Sequence, residues 1–110
     1  MPNTIVLTLP ANDEQLRREI SEQFAPYAEV HETPPAFGLN EVKLVIEIIN
    51  GSAGIIASAA SVGTFLLLLR DRYKKKAEPS RIEIARLGEP GVPLADADDA
   101  TMRRIIGVDE

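Results

Sequence analysis

The sequence contains one long uncharged segment, residues 48–69, with 22 consecutive positions that carry no acidic or basic side chain. A basic cluster follows it directly and consists of Arg70, Arg72, Lys74, Lys75 and Lys76. About 20 apolar residues can span a bilayer, and a basic flank is typical of the cytoplasmic end of such a span. The same residues could instead form the central buried helix of a small globular domain.

Length and composition narrow the classes of protein that this chain can be. Its 110 residues suffice for a single domain, residues 1–110, with its own core. It contains no cysteine, which excludes disulfides, thiol catalysis and thiolate metal sites. The net charge of −5 and the few aromatic residues argue against nucleic acid as the main partner. Residues 1–4 lack the basic and apolar parts of a signal peptide, so we expect a cytoplasmic protein.

The first half of the chain shows strand and helix patterns in turn. Residues 4–9 alternate in polarity and are rich in β-branched side chains, which predicts a strand. Residues 12–24 predict a helix with Asn or Asp at its N-cap, and residues 27–33 predict a second strand. Residues 39–49 carry apolar side chains at helical spacing, which predicts a second helix.

The uncharged segment is predicted to begin with a break between two helices. One unbroken helix over residues 39–76 would be roughly 57 Å long, whereas a domain of this size has a radius of gyration of about 13 Å. Asn50 or Gly51 can end the first helix, and Ser52 can cap the next one. We therefore predict a long apolar helix over residues 52–75.

The last third of the chain predicts a hairpin followed by a helix. A short linker, residues 77–80, leads to a clearly alternating strand at residues 81–87. The Gly-Glu-Pro-Gly sequence of residues 88–91 predicts a turn, and residues 92–95 predict the partner strand. A final helix then begins with Asp98 or Asp99 as its N-cap and ends at Gly107.

These elements predict an α+β domain with the order β-α-β-α(α)-β-β-α. Strands separated by helices and followed by a hairpin indicate a mixed four-stranded sheet with the long apolar helix packed at its centre. The same order occurs in the minimal thioredoxin-like fold, but a chain without cysteine would share only its architecture.

The topology favours a buried helix over a membrane span. A span would separate residues 1–47 from residues 77–110, and the second piece, a hairpin and one short helix, is too small to fold alone. Small and polar residues also dilute the first half of the uncharged segment. The alternative is a small, oligomeric component of the inner membrane that spans with residues 48–69 and keeps residues 70–110 in the cytoplasm.

No catalytic, cofactor-binding or metal-binding constellation is recognisable. His31 is the only histidine, and we assign it a surface or structural role. Asp96, Asp98 and Asp99 lack the glycine and distal glutamate of a calcium loop and lie where a helix needs its cap, although a hydrolase using them is an alternative. Residues 51–54 could hold an anion at a helix N-terminus, but no Lys-Ser/Thr pair follows them. We expect a protein that is not an enzyme.

Two groups of residues are candidates for binding. The basic cluster is favoured at a helix C-terminus by the exposed carbonyls, and it could also bind an acidic protein or an anionic membrane surface. The second group is expected to pack helices or form an interface, including one between copies of the chain, because it combines small with large apolar side chains. Its members are Gly51, Gly54, Ser58, Gly63, Phe65, Leu66, Leu67 and Leu69.

The order of these features resembles the effector-associated constant component family of small bacterial proteins. The resemblance covers most of residues 4–95 and includes the N-terminal Thr-Ile-Val-Leu-Thr-Leu strand and the strand–turn–strand unit. Between them lie three further features: Pro34-Pro35-Ala36-Phe37-Gly38-Leu39, Gly51-Ser52-Ala53-Gly54 and Leu69-Arg70-Asp71-Arg72. Family members often carry a Trp-Leu-Arg-Arg-like helix end and an Asp-Gly turn, where this chain has Leu-Leu-Leu-Arg and Gly-Glu-Pro-Gly.

The resemblance implies a non-catalytic component of a bacterial conflict or immunity system. Such components are encoded beside variable effectors, such as proteases and NTPase switch proteins, and are expected to recruit or couple them. A domain with an apolar helix and a basic helix end, and without a recognisable catalytic motif, is compatible with that role.

Overall fold

Five antiparallel strands and three helices make up the described part of the chain. The computed structural model describes residues 4–10, 14–33, 41–49, 54–74 and 82–107, including the side chains of all but residues 73–74. The elements in chain order are β1 (Ile5–Pro10), α1 (Glu14–Phe24), β2 (Ala28–Thr33), β3 (Glu41–Ile48), α2 (Ile55–Lys74), β4 (Glu83–Arg86), β5 (Val92–Pro93), a 3-10 helix (Leu94–Asp96) and α3 (Asp99–Ile106).

The strands form one sheet in the order β2-β3-β1-β4-β5, with β1 at its centre. Leu7 of β1 lies between Leu44 of β3 and Ile84 of β4, and this register brings apolar side chains together on one face. Every pairing is antiparallel. The predicted mixed sheet of four strands is therefore wrong in both strand number and direction, whereas the α+β class is confirmed.

The two faces of the sheet differ in what covers them. The three helices pack on one face and form a single apolar core with it. Each helix contributes three large apolar side chains to this core: Leu16, Ile20 and Phe24 from α1, Val62, Leu66 and Leu69 from α2, and Met102, Ile105 and Ile106 from α3. The opposite face, called the open face below, carries mainly exposed or half-buried residues.

The predicted helix at residues 39–49 is wrong, because its described part forms strand β3 and the residue after it. Val42, Leu44 and Ile46 are buried, and the residues between them are exposed or half-buried, which is the period of two of a strand. The strand also pairs on both sides, with β1 and with β2. These backbone hydrogen bonds and the burial of one face favour the strand over the helical spacing that the same segment contains.

Residues 48–69 do not form a single helix. Ile48 belongs to β3, and α2 begins at Ile55 after Gly54, which has a positive φ of 93°. At 1.5 Å rise per residue, the 20 residues of α2 are about 30 Å long and fit the 38 Å longest dimension of the domain. The predicted long helix is confirmed over this range. Its predicted cap at Ser52 and the linker at residues 77–80 lie outside the described residues.

The other predicted elements lie close to their observed positions. β1, α1 and β2 match the first three predictions to within a few residues. The predicted hairpin is present as β4 and β5, although β5 is only two residues long and continues into the 3-10 helix. The N-cap of α3 is Asp98, whose carboxylate accepts a hydrogen bond from the Thr101 amide, and Gly107 ends the helix with a left-handed backbone.

Candidate functional site

The basic end of α2 is tied into the fold. The Arg70 side chain is only 13% exposed, and its Nη1 donates to Asp99 Oδ1 at 2.7 Å and to the Ala97 carbonyl at 3.1 Å. The hydrogen bond that Arg70 donates to Asp99 raises the pKa of Arg70 above its ordinary value. Arg72 Nη2 lies 2.9 Å from Glu19 Oε1 on α1. Both arginines therefore fasten the end of α2 to its neighbours.

The rest of the predicted basic cluster cannot be placed in the same way. The side chain of Lys74 and all of Lys75 and Lys76 lie outside what the structure describes. Binding of an acidic partner or of anionic lipid by the cluster stays a prediction. The ion pairs of Arg70 and Arg72 compete with such binding, because a new partner would have to displace carboxylates that are already in contact.

Two of the three aspartates at residues 96–99, Asp98 and Asp99, have structural contacts. Asp98 Oδ1 accepts from the Thr101 amide at 2.7 Å, and hydrogen bonds from Thr101 lower the pKa of Asp98. Asp99 is engaged by Arg70, as described above. Asp98 thus serves as a helix cap and Asp99 as the partner of a cation, and the carboxylates are not held together around a common centre.

Most of the residues predicted for helix packing face this chain's own core. Ser58, Gly63, Leu66 and Leu69 are buried, while Phe65 and Leu67 are partly buried against the core. The Phe65 ring meets Phe24 of α1 edge to face, with ring centroids 5.1 Å apart. A Cβ on Gly63 would lie 3.3 Å from Ile106 Cδ1 of α3, so this glycine permits close packing of the two helices. Gly54 precedes α2, and Gly51 lies outside the described residues.

The exposed face of α2 carries an apolar stripe that the sequence analysis did not single out. It consists of Ile56, Ala60, Thr64 and Leu68, which follow one another at intervals of four residues and are all exposed. The two large members, Ile56 and Leu68, are 81% and 64% exposed. They stand about 18 Å apart along the helix, with the two small residues between them. This stripe, called the α2 stripe below, therefore has large apolar side chains at its two ends and a low centre, where the side chains are small.

The low centre of the α2 stripe borders a shallow groove on each side. Toward α1, a groove of about 380 Å³ is lined by Tyr27, Phe65, Leu68 and neighbouring polar or small residues. Toward α3, a smaller groove of about 150 Å³ lies beside Leu67. The Thr64 hydroxyl donates to the Ala60 carbonyl at 2.9 Å, so it adds little unsatisfied polarity to the surface.

The spacing of apolar residues in the sequence is compatible with the α2 stripe but does not distinguish an exposed helix face from a buried one. An apolar residue every fourth position is typical of a helix face, yet α2 is apolar on nearly all sides. The buried face, which includes Val62, Leu66 and Leu69, has the same spacing. Only the packing of the sheet and the other helices distinguishes the face that is covered from the face that is not.

The open face of the sheet is a second, less apolar surface. Val6 lies between Val45 and Ala85 in the register of the three central strands. Val6 and Val45 are half-buried, and Ala85 is only 7% exposed, so little apolar area is left for a partner. A shallow groove of about 430 Å³ there is lined partly by charged residues.

Within the described residues, no helix combines the length and hydropathy that crossing a bilayer requires. No protein-family model, curated protein or solved structure matches the chain.

Proposed function

We propose that this protein is a non-catalytic interaction domain that binds a partner protein through the α2 stripe. Following the family resemblance, the partner is an effector, such as a protease or an NTPase switch protein, of a bacterial conflict system. The single observation that supports the binding role most strongly is the exposure of Ile56 and Leu68 at the two ends of one helix face.

The two large side chains supply the apolar contact area. Fully burying a Leu or Ile side chain contributes about 1.5–3 kcal/mol of free energy, so Ile56 and Leu68 can act as the two anchors of an interface. Their neighbours at the low centre, Ala60 and Thr64, contribute little area but allow close approach. The stripe is thus suited to a partner that contacts both ends at once.

An amphipathic helix of the partner fits this shape. Packed helices lie 8–10 Å apart, and the shorter separations need small residues at the crossing point. Ala60 and Thr64 provide such a point, and the grooves on either side can take apolar residues spaced three or four apart on the partner helix. We therefore expect the partner to bind as a helix that crosses α2 near Ala60 and Thr64.

The test uses proteins encoded next to the gene for this chain as binding partners. Each is purified, and its affinity is measured by calorimetry against the wild-type chain and a double variant, Ile56→Ser with Leu68→Ser. We expect at least one neighbour to bind the wild type and the double variant to bind it about tenfold more weakly or worse, since about 1.4 kcal/mol corresponds to tenfold.

A matched control is available in the same chain. Leu87 is 62% exposed but lies in the turn after β4, away from α2. Leu87→Ser removes an exposed apolar area similar to that of Leu68 alone and should leave the affinity unchanged. Equal binding by the wild type and the double variant would contradict the proposal. A wild-type dimer that the double variant abolishes would instead assign the stripe to contacts between copies of this chain.

A further inference from the structure

Three metal-ligating side chains meet on the open face, at the edge of the sheet farthest from β5. Glu29 and His31 lie two residues apart on β2 and so project from the same face. Glu47 of β3 is paired directly with Glu29 in the strand register. His31 Nε2 lies 3.6 Å from Glu29 Oε2, and one ligand atom from each of the three residues lies within 4.8 Å of the other two.

This arrangement places two carboxylates side by side, with the His31 imidazole next to them. Like charges directly opposite each other on paired strands are destabilising. Several acidic side chains elsewhere in the described structure are engaged by arginine, as Glu32 is by Arg17 and Glu19 by Arg72. No ion pair of this kind with Lys or Arg is present for Glu29 or Glu47 among the described residues. A bound cation would therefore relieve the repulsion between the two carboxylates.

We propose that Glu29, His31 and Glu47 bind a Zn²⁺ ion. Zinc takes imidazole nitrogen at 2.0–2.1 Å and carboxylate oxygen at 2.0–2.2 Å, and two such atoms in a tetrahedral site lie about 3.4 Å apart. The 3.6 Å separation of the His31 and Glu29 atoms is close to that value. The imidazole favours zinc over Mg²⁺ and Ca²⁺, which take oxygen ligands.

The zinc site would have three protein ligands and one free position. All three side chains are exposed, so the fourth position is open to water or to a donor atom from another molecule. The site lies on the open face, whereas the α2 stripe lies on the helical side of the domain, so neither proposal depends on the other. The sequence alone predicts a surface or structural role for His31, because Glu47, which completes the group, becomes its neighbour only through the β2–β3 pairing.

The single histidine provides a direct test. Untagged protein is titrated with ZnCl₂, with heat recorded by calorimetry and the ¹⁵N signals of the His31 ring recorded by NMR. We expect one Zn²⁺ per chain and a shift of the ring nitrogen signals, whereas MgCl₂ should leave them in place. His31→Asn and Glu47→Gln should each weaken binding about tenfold or more.

Glu41→Gln is the matched control, because Glu41 is an exposed acid at the other end of β3. It should bind zinc as tightly as the wild type, and amide NMR spectra should show that all variants keep the fold. An absence of ring shifts at millimolar Zn²⁺ would overturn the proposal. Wild-type affinity in Glu47→Gln would also overturn it, because the site needs all three ligands.

Discussion

Arg70, near the end of α2, donates a hydrogen bond of 2.7 Å to Asp99, the first residue of α3. The same guanidinium nitrogen donates to the Ala97 carbonyl. The Arg70 side chain therefore contacts both the carboxylate of the first residue of α3 and the backbone just before that helix. The contact joins residues 29 positions apart in the chain. The contact therefore joins α2 to the N-terminus of α3 within the layer of helices that covers the sheet.

The first prediction concerns this contact. Arg70→Ala should lower the free energy of unfolding by about 1.5–3 kcal/mol, because it removes charged hydrogen bonds from a side chain that is only 13% exposed. Arg72→Ala is the control, since the Arg72 side chain is 49% exposed and its pair with Glu19 should contribute less than about 1 kcal/mol. Urea denaturation measures both values. Equal losses would show that Arg70 has no special role.

The second prediction concerns a buried hydroxyl on α2. Ser58 is 0% exposed, and its Oγ has no hydrogen-bond partner among the described residues. Ser58→Ala should raise the free energy of unfolding by about 1 kcal/mol or more, because an unsatisfied buried polar group costs about 1–3 kcal/mol.

Ser61→Ala separates this effect from helix propensity. Ser61 is on the same helix and is half-buried, so both variants gain the higher propensity of alanine, and only Ser58→Ala also removes a fully buried hydroxyl. Thermal and urea unfolding should rank Ser58→Ala as the more stable of the two. A loss of stability in Ser58→Ala would show that the hydroxyl is satisfied in solution.

The third prediction is a pH dependence at the N-terminus of α3. Hydrogen bonds from Thr101 lower the pKa of Asp98 below its unfolded value. The folded state therefore binds fewer protons at this site than the unfolded state does. The stabilisation by Asp98 is present above the unfolded pKa, which is about 3.9, and is lost as the pH falls through the folded pKa.

Asp98→Asn isolates this effect, because asparagine can still cap the helix but does not titrate in this range. The difference in stability between the wild type and this variant should be constant near neutral pH and should change in favour of the variant below about pH 4. Urea denaturation at a series of pH values measures it. A difference that does not change down to pH 2 would contradict the assigned pKa shift.

The fourth prediction concerns Gly63, where α2 and α3 touch. Gly63→Ala gains about 1 kcal/mol of helix propensity and must accommodate a contact of 3.3 Å with the flexible end of Ile106, so its stability should lie within about 1 kcal/mol of the wild type. Gly63→Val places further methyl groups against the same side chain and should destabilise by about 1–3 kcal/mol. Wild-type stability in Gly63→Val would mean that the helices do not pack this closely.

The sequence predicts the elements whose patterns have a single interpretation. β1 alternates between buried and half-buried residues, and α1 carries Leu16, Ile20 and Phe24 at helical spacing, so local periodicity identifies both. β3 is different, because its apolar residues satisfy both periods. Pairing with β1 and β2 decides in favour of the strand, and no local pattern contains that information.

The candidate sites depend even more on tertiary structure. The α2 stripe has the same spacing as the buried face of the helix, so the packing of the other elements has to be known before it can be recognised. The zinc ligands are separated in the sequence, with Glu47 sixteen positions after His31. Only the register of β2 with β3 makes Glu47 a neighbour of Glu29 and His31.

The central claim is that the α2 stripe binds a helix of a partner protein. Methyl NMR of the chain, labelled at Ile and Leu and titrated with the neighbour-encoded partner, tests it most directly. We expect the methyl signals of Ile56 and Leu68 to shift and show contacts to the partner, while those of Leu87, which is about as exposed as Leu68, stay in place. Shifts at Leu87 with unchanged signals from Ile56 and Leu68 would contradict it.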